Sequence, residues 1–110
     1  MKKVLFNRKA AQELLDATRY YDNELSGLGS EFYHVIQRAL LLISRYPEIG
    51  AEIKLNMRRF VLARFPYYII YRLLPDGYIR ILAIAHKNKN LKIKLAQAVS
   101  ISSSGHRGFA

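Results

Sequence analysis

Residues 57–86 read MRRFVLARFPYYIIYRLLPDGYIRILAIAH. Three segments rich in Val, Ile, Tyr and Phe are separated there by Pro66 and by the sequence Pro75-Asp76-Gly77. Aromatic and β-branched residues favour strands, and a Pro-Asp-Gly sequence favours a tight turn between two of them. The stretch therefore predicts three consecutive antiparallel strands, near residues 58–64, 67–74 and 78–85.

Two helices are predicted upstream of these strands. Asn7 can cap a helix that runs to about Glu24, because apolar residues recur on one of its faces. After a break at residues 26–29, a second amphipathic pattern continues until Pro47. A short connection between two helices predicts an antiparallel helical hairpin.

The remaining segments complete an α+β fold. Residues 2–6 alternate and predict an N-terminal edge strand, whereas residues 48–56 are interpreted as a connecting loop. A short C-terminal helix is predicted over residues 91–99, followed by a flexible tail at 100–110. The expected architecture is one domain, residues 1–99, with the helical hairpin packed on one face of a small antiparallel sheet.

Composition excludes several classes of protein. The chain has no cysteine, so it can form neither disulfides nor thiolate metal sites. No apolar run approaches the ~18 residues of a transmembrane helix, and no apolar signal region follows the N-terminal Met-Lys-Lys. The sequence therefore predicts a cytoplasmic protein that does not associate with membranes.

Charge is distributed unevenly along the 110 residues. Up to position 53 there are seven basic and seven acidic residues, whereas from position 54 onward eleven basic residues face Asp76 alone. The whole net charge of +10 therefore lies in the second half of the chain. Such an asymmetry indicates an acidic or polyanionic partner, although a basic surface also favours solubility.

An ordered set of short segments carries a resemblance to a known family. In chain order, the segments are residues 10–21 (AAQELLDATRYY), 27–29, 31–32, 45–48 (RYPE), 58–60, 64–67, 70–72 and 84–86. Together they resemble the ParE branch of the RelE/ParE superfamily of bacterial toxins over about residues 3–90. The resemblance implies the same α+β fold. It also implies the toxin of a type II toxin–antitoxin pair that binds DNA gyrase, stalls replication, and is neutralised by a cognate antitoxin.

Two other functions stay open at the level of sequence. RelE-like relatives cut messenger RNA on the ribosome, and that alternative would use Arg59, His86 and Lys87 as catalytic residues. This chain departs from the nuclease pattern because Tyr68 stands where an arginine is expected and the segment 91–99 has no tyrosine. The third hypothesis is a non-toxic, basic relative that binds nucleic acid. The oligomeric state is not indicated, and a homodimer remains open.

Candidate binding residues follow from the resemblance and from charge. An acidic, disordered antitoxin segment would suit the basic half electrostatically and would place apolar anchors in a groove between hairpin and sheet. Core packing explains the proposed groove residues equally well. Residues expected to bind the target or the antitoxin are Arg58, Arg59, Arg64, Arg72, Arg80, His86, Lys87 and Lys89. Residues expected to line the antitoxin groove are Leu14, Tyr21, Tyr67 and Tyr71.

The remaining polar residues suggest no site. Glu13, Asp16 and Glu24 are interpreted as a solvated helix face, and His34 as a structural residue at the border of the apolar face of the second helix. No histidine and carboxylate have metal-ligand spacing, and no glycine-rich phosphate loop is present. The sequence therefore predicts neither a metal nor a cofactor.

Overall fold

The computed structural model describes residues 1–88. Two helices form one layer and a five-stranded sheet forms the other, with strand order β1-β5-β4-β3-β2. The elements are β1 (Val4–Phe6), α1 (Arg8–Glu24), α2 (Leu28–Arg45), β2 (Ala51–Lys54), β3 (Met57–Val61), β4 (Tyr67–Leu73) and β5 (Ile79–His86). This is the expected α+β architecture. The predicted helix over 91–99, the tail at 100–110 and Lys89 lie outside the described residues.

The helical hairpin begins and turns where the sequence predicts. Asn7 caps α1 by accepting a hydrogen bond from the backbone N–H of Ala10 at 2.8 Å. Gly27 has a φ of 92°, a left-handed conformation that glycine adopts without strain. A Cβ on Gly29 would lie 2.5 Å from the carbonyl oxygen of Thr18. The two helices therefore approach closely at the break, which requires a small residue.

The sheet differs from the prediction in two ways. It is mixed rather than purely antiparallel, because β1 pairs with β5 in parallel. The predicted loop 48–56 also contains the fourth antiparallel strand, β2, which pairs with β3. Two of the four residues of β2 are charged and all are partly or fully exposed, so the segment lacks the apolar alternation of a half-buried strand. A tight turn containing Asn56, at a φ of 60°, brings β2 against β3.

Two apolar clusters lie on opposite faces of the sheet. The larger cluster joins both helices to the sheet, and its members include Phe32, Ile36, Ile43, Ile69, Tyr71 and Ile81. The smaller cluster contains strand residues only: Met57, Ile70 and Ala83, with Ile53 and Leu82 packed against them. The helices in residues 1–88 therefore cover one face of the sheet and leave the other open. In the same part of the chain, neither helix is long and apolar enough to cross a bilayer.

Candidate functional site

Three arginines lie together on the open face of the sheet. Arg72 and Arg80 are directly opposed on β4 and β5, and Arg59 pairs with Ile70 on the other side of β4. Arg59 and Arg72 are therefore diagonal neighbours, roughly 7–8 Å apart at their Cα atoms. We call Arg59, Arg72 and Arg80 the arginine patch.

Strand alternation places these three side chains on the open face. Ile70 and Met57 belong to the smaller apolar cluster, and they pair with Arg59 and Arg72 respectively. Residues directly opposite each other on neighbouring strands point to the same side of a sheet. The flanking residues of Arg80, Ile79 and Ile81, belong to the helix-side cluster, so Arg80 points the other way.

Arg59 is the most constrained member of the patch. Its guanidinium carbon lies 5.0 Å from the ring centroid of Tyr68, in a cation–π arrangement. Its Nε is buried and has no hydrogen-bond partner in the described structure. The Nε of Arg58 is buried without a partner in the same way in the described structure, so this atom does not by itself mark a ligand site. The ring of Tyr68 holds the Arg59 guanidinium in place on the open face of the sheet.

Arg58 and Arg64 do not join the patch, in contrast to the expectation from sequence. Arg58 lies on the helix side of the sheet and donates to the carbonyl oxygens of Glu48, at 3.1 Å, and Gly50, at 2.7 Å. Arg64 forms an ion pair with Glu31 at the start of α2. Arg58 therefore holds a loop in place, and Arg64 connects the β3–β4 segment to the hairpin.

His86 is the last residue of β5, directly after Ala85, which pairs with Tyr68, and Lys87 follows it. The ring of His86 packs edge-on against Tyr67 on the helix side, with the two centroids 5.0 Å apart. Its Nδ1 accepts a hydrogen bond from the backbone N–H of Asn88 at 3.0 Å. Lys87 is exposed, and its backbone N–H donates to Pro66 at 2.8 Å. His86 and Arg59 consequently point to opposite sides of the sheet.

The predicted groove residues divide into two groups. Leu14, Tyr21 and Tyr67 are partly buried where α1 meets the sheet, and the ring of Tyr21 contacts that of Tyr67. Tyr71 is fully buried, so its assignment to the groove is wrong. Its hydroxyl donates to the carbonyl of Pro47 at 2.7 Å and accepts from the N–H of Gly50 at 2.9 Å. Burial raises the pKa of Tyr71, while the Gly50 hydrogen bond and Arg58 act in the opposite direction.

A pocket of about 430 Å³ lies beside this groove. Its polar walls come from Glu13, Asp16, Tyr20, Tyr67 and His86. Burial raises the pKa of Tyr67 to about 12, with further contributions from the two nearby tyrosines and from Glu13. The phenol of Tyr67 is therefore neutral at any physiological pH.

Glu13 has a role that the sequence interpretation missed. It is partly buried rather than solvated, and its carboxylate accepts a hydrogen bond from the backbone N–H of Ile84 at 2.9 Å. The length of β1 is the feature that could have suggested this contact. β1 pairs with β5 only at residues 79–81, so the Ile84 amide lies beyond the paired residues. His34, by contrast, is exposed, and its Nδ1 lies 2.8 Å from the carbonyl oxygen of Ser30.

Within residues 1–88, no three His, Asp or Glu side chains are grouped so that they could hold a metal ion. The guanidinium groups on the open face can form bidentate hydrogen bonds to phosphates or carboxylates.

Comparisons with known proteins place the chain among toxins. The family model described as ParE toxin of type II toxin–antitoxin system, parDE, matches residues 4–91. No curated protein matches the sequence.

Three solved structures share the fold. A chain from the chromosomal ParDE toxin–antitoxin system of P. aeruginosa aligns with a TM-score of 0.58 at 18% identity, covering 78% of this chain and 96% of that one. The isolated E. coli RelE toxin aligns with a TM-score of 0.62 at 13% identity, covering 91% and 97%. A mutant E. coli RelE in complex with an antitoxin RelBc peptide aligns with a TM-score of 0.59 at 14% identity, covering 96% and 95%.

Proposed function

We propose that this chain, which belongs to the ParE toxin family of type II toxin–antitoxin systems, acts in the cytoplasm by binding DNA gyrase and is kept inactive by a cognate antitoxin. Family membership supports the toxin role. The surface of the protein supports inhibition by binding, because an inhibitor of that kind needs complementary charge and shape rather than a set of catalytic groups.

The arginine patch is the observation that carries the binding mechanism. Arg72 and Arg80 are directly opposed across two strands. Like charges in that position repel and destabilise the sheet, so the folded protein alone gains nothing from the pairing. An anionic partner removes the repulsion and accepts hydrogen bonds from the guanidinium groups. The patch is therefore best explained as a contact surface.

The positions of the alternative catalytic residues also favour binding. Cleavage of RNA requires a base, an acid and a cation around one phosphate. The residues of the nuclease alternative do not surround one point, because Arg59 lies on the open face whereas the His86 ring packs against Tyr67 on the helix side. This separation across the sheet supports binding over cleavage.

The proposed antitoxin would use both sides of the molecule. The RelE structure with a RelBc peptide shows that a toxin of this fold can bind an antitoxin segment. In the present chain, apolar anchors of the antitoxin would enter beside Leu14, Tyr21 and Tyr67, which are only partly buried. Its acidic residues would neutralise the arginine patch, which raises the rate of association and limits wrong pairings. The proposal thus assigns the apolar contacts of the antitoxin to the groove beside α1 and its ionic contacts to the arginine patch.

A pulse-labelling experiment tests the function as a whole. The chain is induced alone in a bacterium, and the incorporation of labelled thymidine and labelled methionine is measured separately. We expect DNA synthesis to fail first, because stalled gyrase blocks replication before it affects translation. If protein synthesis fails first, the gyrase proposal is wrong and the ribosome becomes the target.

A further inference from the structure

A second pocket lies at the other end of the sheet from His86. It is open to solvent, has a volume of about 840 Å³, and lies between the loop that follows α2 and the turn that joins β4 to β5. The apolar part of its wall comes from Tyr46, Ile49, Leu73, Leu74 and Tyr78. We call it the loop pocket. The gyrase proposal does not use any of these residues.

The loop that forms one wall is held in a fixed conformation. The buried hydroxyl of Tyr71 bridges the carbonyl of Pro47 and the amide of Gly50. The guanidinium of Arg58 contacts the carbonyls of Glu48 and Gly50 from the same side. Four hydrogen bonds to three positions of the loop, Pro47, Glu48 and Gly50, leave this segment little freedom. A preorganised wall lowers the entropy cost of binding.

The opposite wall is fixed through the N-terminal segment. The backbone N–H of Lys2 donates to the carbonyl of Ser44 at 3.0 Å, and the buried Ser44 hydroxyl donates back to the carbonyl of Lys2. The N–H of Ile79 donates to the carbonyl of Lys3 at 2.9 Å. These bonds place the Lys2 side chain at the mouth of the loop pocket, beside the turn glycine Gly77.

Three large side chains around the loop pocket are exposed rather than packed. Tyr46 is 58% exposed, Ile49 is 43% exposed and Tyr78 is 38% exposed. Single exposed apolar residues are ordinary, but several around one pocket indicate a binding surface. Tyrosine is favoured at interfaces because it offers a large rigid contact area together with a polar tip. Because these residues lie on walls that hydrogen bonds hold in place, their grouping supports the interpretation of the loop pocket as a binding surface.

Charges of both signs line the pocket. Among its described lining residues, Lys2 and Arg45 are positive and Glu48 is negative, so the cations exceed the carboxylates by one. Aliphatic walls of Ile49, Leu73 and Leu74 suit a branched or aromatic side chain better than the phosphate backbone of a nucleic acid. A guanidinium and an ammonium beside such walls suit carboxylates that flank that side chain.

We propose that the loop pocket binds a peptide segment of a partner protein in which a large apolar side chain is flanked by carboxylates. The apolar side chain enters between Ile49 and Leu74, and the carboxylates pair with Arg45 and Lys2. The site is separate from the arginine patch and from the groove beside α1, so it can be occupied whether or not the chain binds gyrase.

Nuclear magnetic resonance tests the site directly. The ¹⁵N-labelled full chain is titrated with a blocked hexapeptide of sequence DELFED. Three companions are used: KKLFKK, an acidic peptide with Gly-Ser in place of Leu-Phe, and oligothymidine. We expect saturable shifts at the backbone amides of the non-proline residues in 45–49 and 73–79 with DELFED only. Arg45→Glu should weaken this binding by about tenfold or more, because a charge-assisted contact becomes a repulsion.

Controls separate the proposal from its competitors. Arg19→Glu makes the same charge change on exposed α1 and should leave the affinity unchanged. Ile49→Ala should weaken binding through the apolar wall and serves as the second variant if Arg45→Glu alters the fold. The proposal is overturned if millimolar DELFED shifts none of these amides, or if KKLFKK or oligothymidine shifts them equally. It is also overturned if they shift with protein concentration alone, which would indicate self-association.

Discussion

At the scale of single residues, two adjacent arginines show how strand alternation sets the direction of a side chain and therefore its contacts. Arg58 and Arg59 are neighbours in sequence but point to opposite faces of β3, where the first donates to loop carbonyls and the second lies over Tyr68. The period of a strand predicts that two adjacent side chains point to opposite faces. It does not predict that Arg58 serves the loop, because that depends on where residues 48–50 fold.

Tyr71 provides a stability prediction at this scale. In Tyr71→Phe, the Pro47 carbonyl and the buried Gly50 amide lose the hydroxyl that joins them. We expect the free energy of unfolding to fall by about 1–3 kcal/mol, the cost of leaving buried polar groups without partners. Urea denaturation measures it. Tyr33→Phe, on the exposed surface of α2, is the control and should change the stability much less.

Tyr67 provides a prediction of pH dependence. Its folded pKa of about 12 lies above the ordinary tyrosine value of 10.0, so the folded state resists losing the proton. A raised folded pKa gives stability that is complete below pH 10 and is lost as the pH rises towards 12. The free energy of unfolding should therefore decrease through this range, and Tyr67→Phe should make the decrease shallower. An equally steep decrease in the variant would contradict the assignment.

At the scale of elements, the difference in length between two strands explains the position of a carboxylate. β5 has eight residues and its parallel neighbour β1 has three. The part of β5 that continues beyond β1 presents an edge, and Glu13 of α1 accepts the Ile84 amide there. An unpaired edge is a common site of unwanted strand addition, which this side chain partly blocks.

Hydrogen exchange tests the role of Glu13. In Glu13→Ala the Ile84 amide loses its acceptor, so its exchange should accelerate by about tenfold or more relative to its neighbours. Glu13→Gln keeps an acceptor oxygen and should preserve most of the protection. Unchanged exchange of Ile84 in Glu13→Ala would show that the contact does not protect this edge.

The helices and strands also differ in how well local sequence patterns predict them. The helices and their cap at Asn7 are predicted because capping and amphipathic periodicity are local properties. The parallel pairing of β1 with β5 joins residues about 75 positions apart and leaves no local signal. β2 is missed for a different reason, since its pairing with β3 depends on the Leu55-Asn56 turn rather than on apolar alternation.

At the scale of the whole molecule, the uneven charge along the sequence becomes an uneven distribution of charge between the helical layer and the sheet. The balanced half of the sequence forms the two helices and the first strands, whereas the basic half forms β3, β4 and β5. Among the residues predicted to form a basic surface, Arg59, Arg72 and Arg80 lie together on one face. Arg58, Arg64 and His86 lie elsewhere because side-chain direction and ion pairing depend on the tertiary fold.

A matched pair of variants measures the role of the arginine patch in the whole protein. The first carries Arg59→Gln, Arg72→Gln and Arg80→Gln, and the second carries Arg8→Gln, Arg19→Gln and Arg38→Gln on exposed helix surfaces. Each removes three positive charges, so a difference between them reports position rather than net charge. Circular dichroism establishes that both are folded.

The most direct test of the account is the inhibition of purified DNA gyrase by these proteins. Supercoiling activity and DNA cleavage by gyrase are measured against increasing concentrations of the original chain and of each variant. We predict that the original chain and the helix-surface variant inhibit gyrase, and that the patch variant needs at least about tenfold more protein. Equal inhibition by both variants would contradict the role of the patch, and no inhibition by the original chain would contradict gyrase as the target.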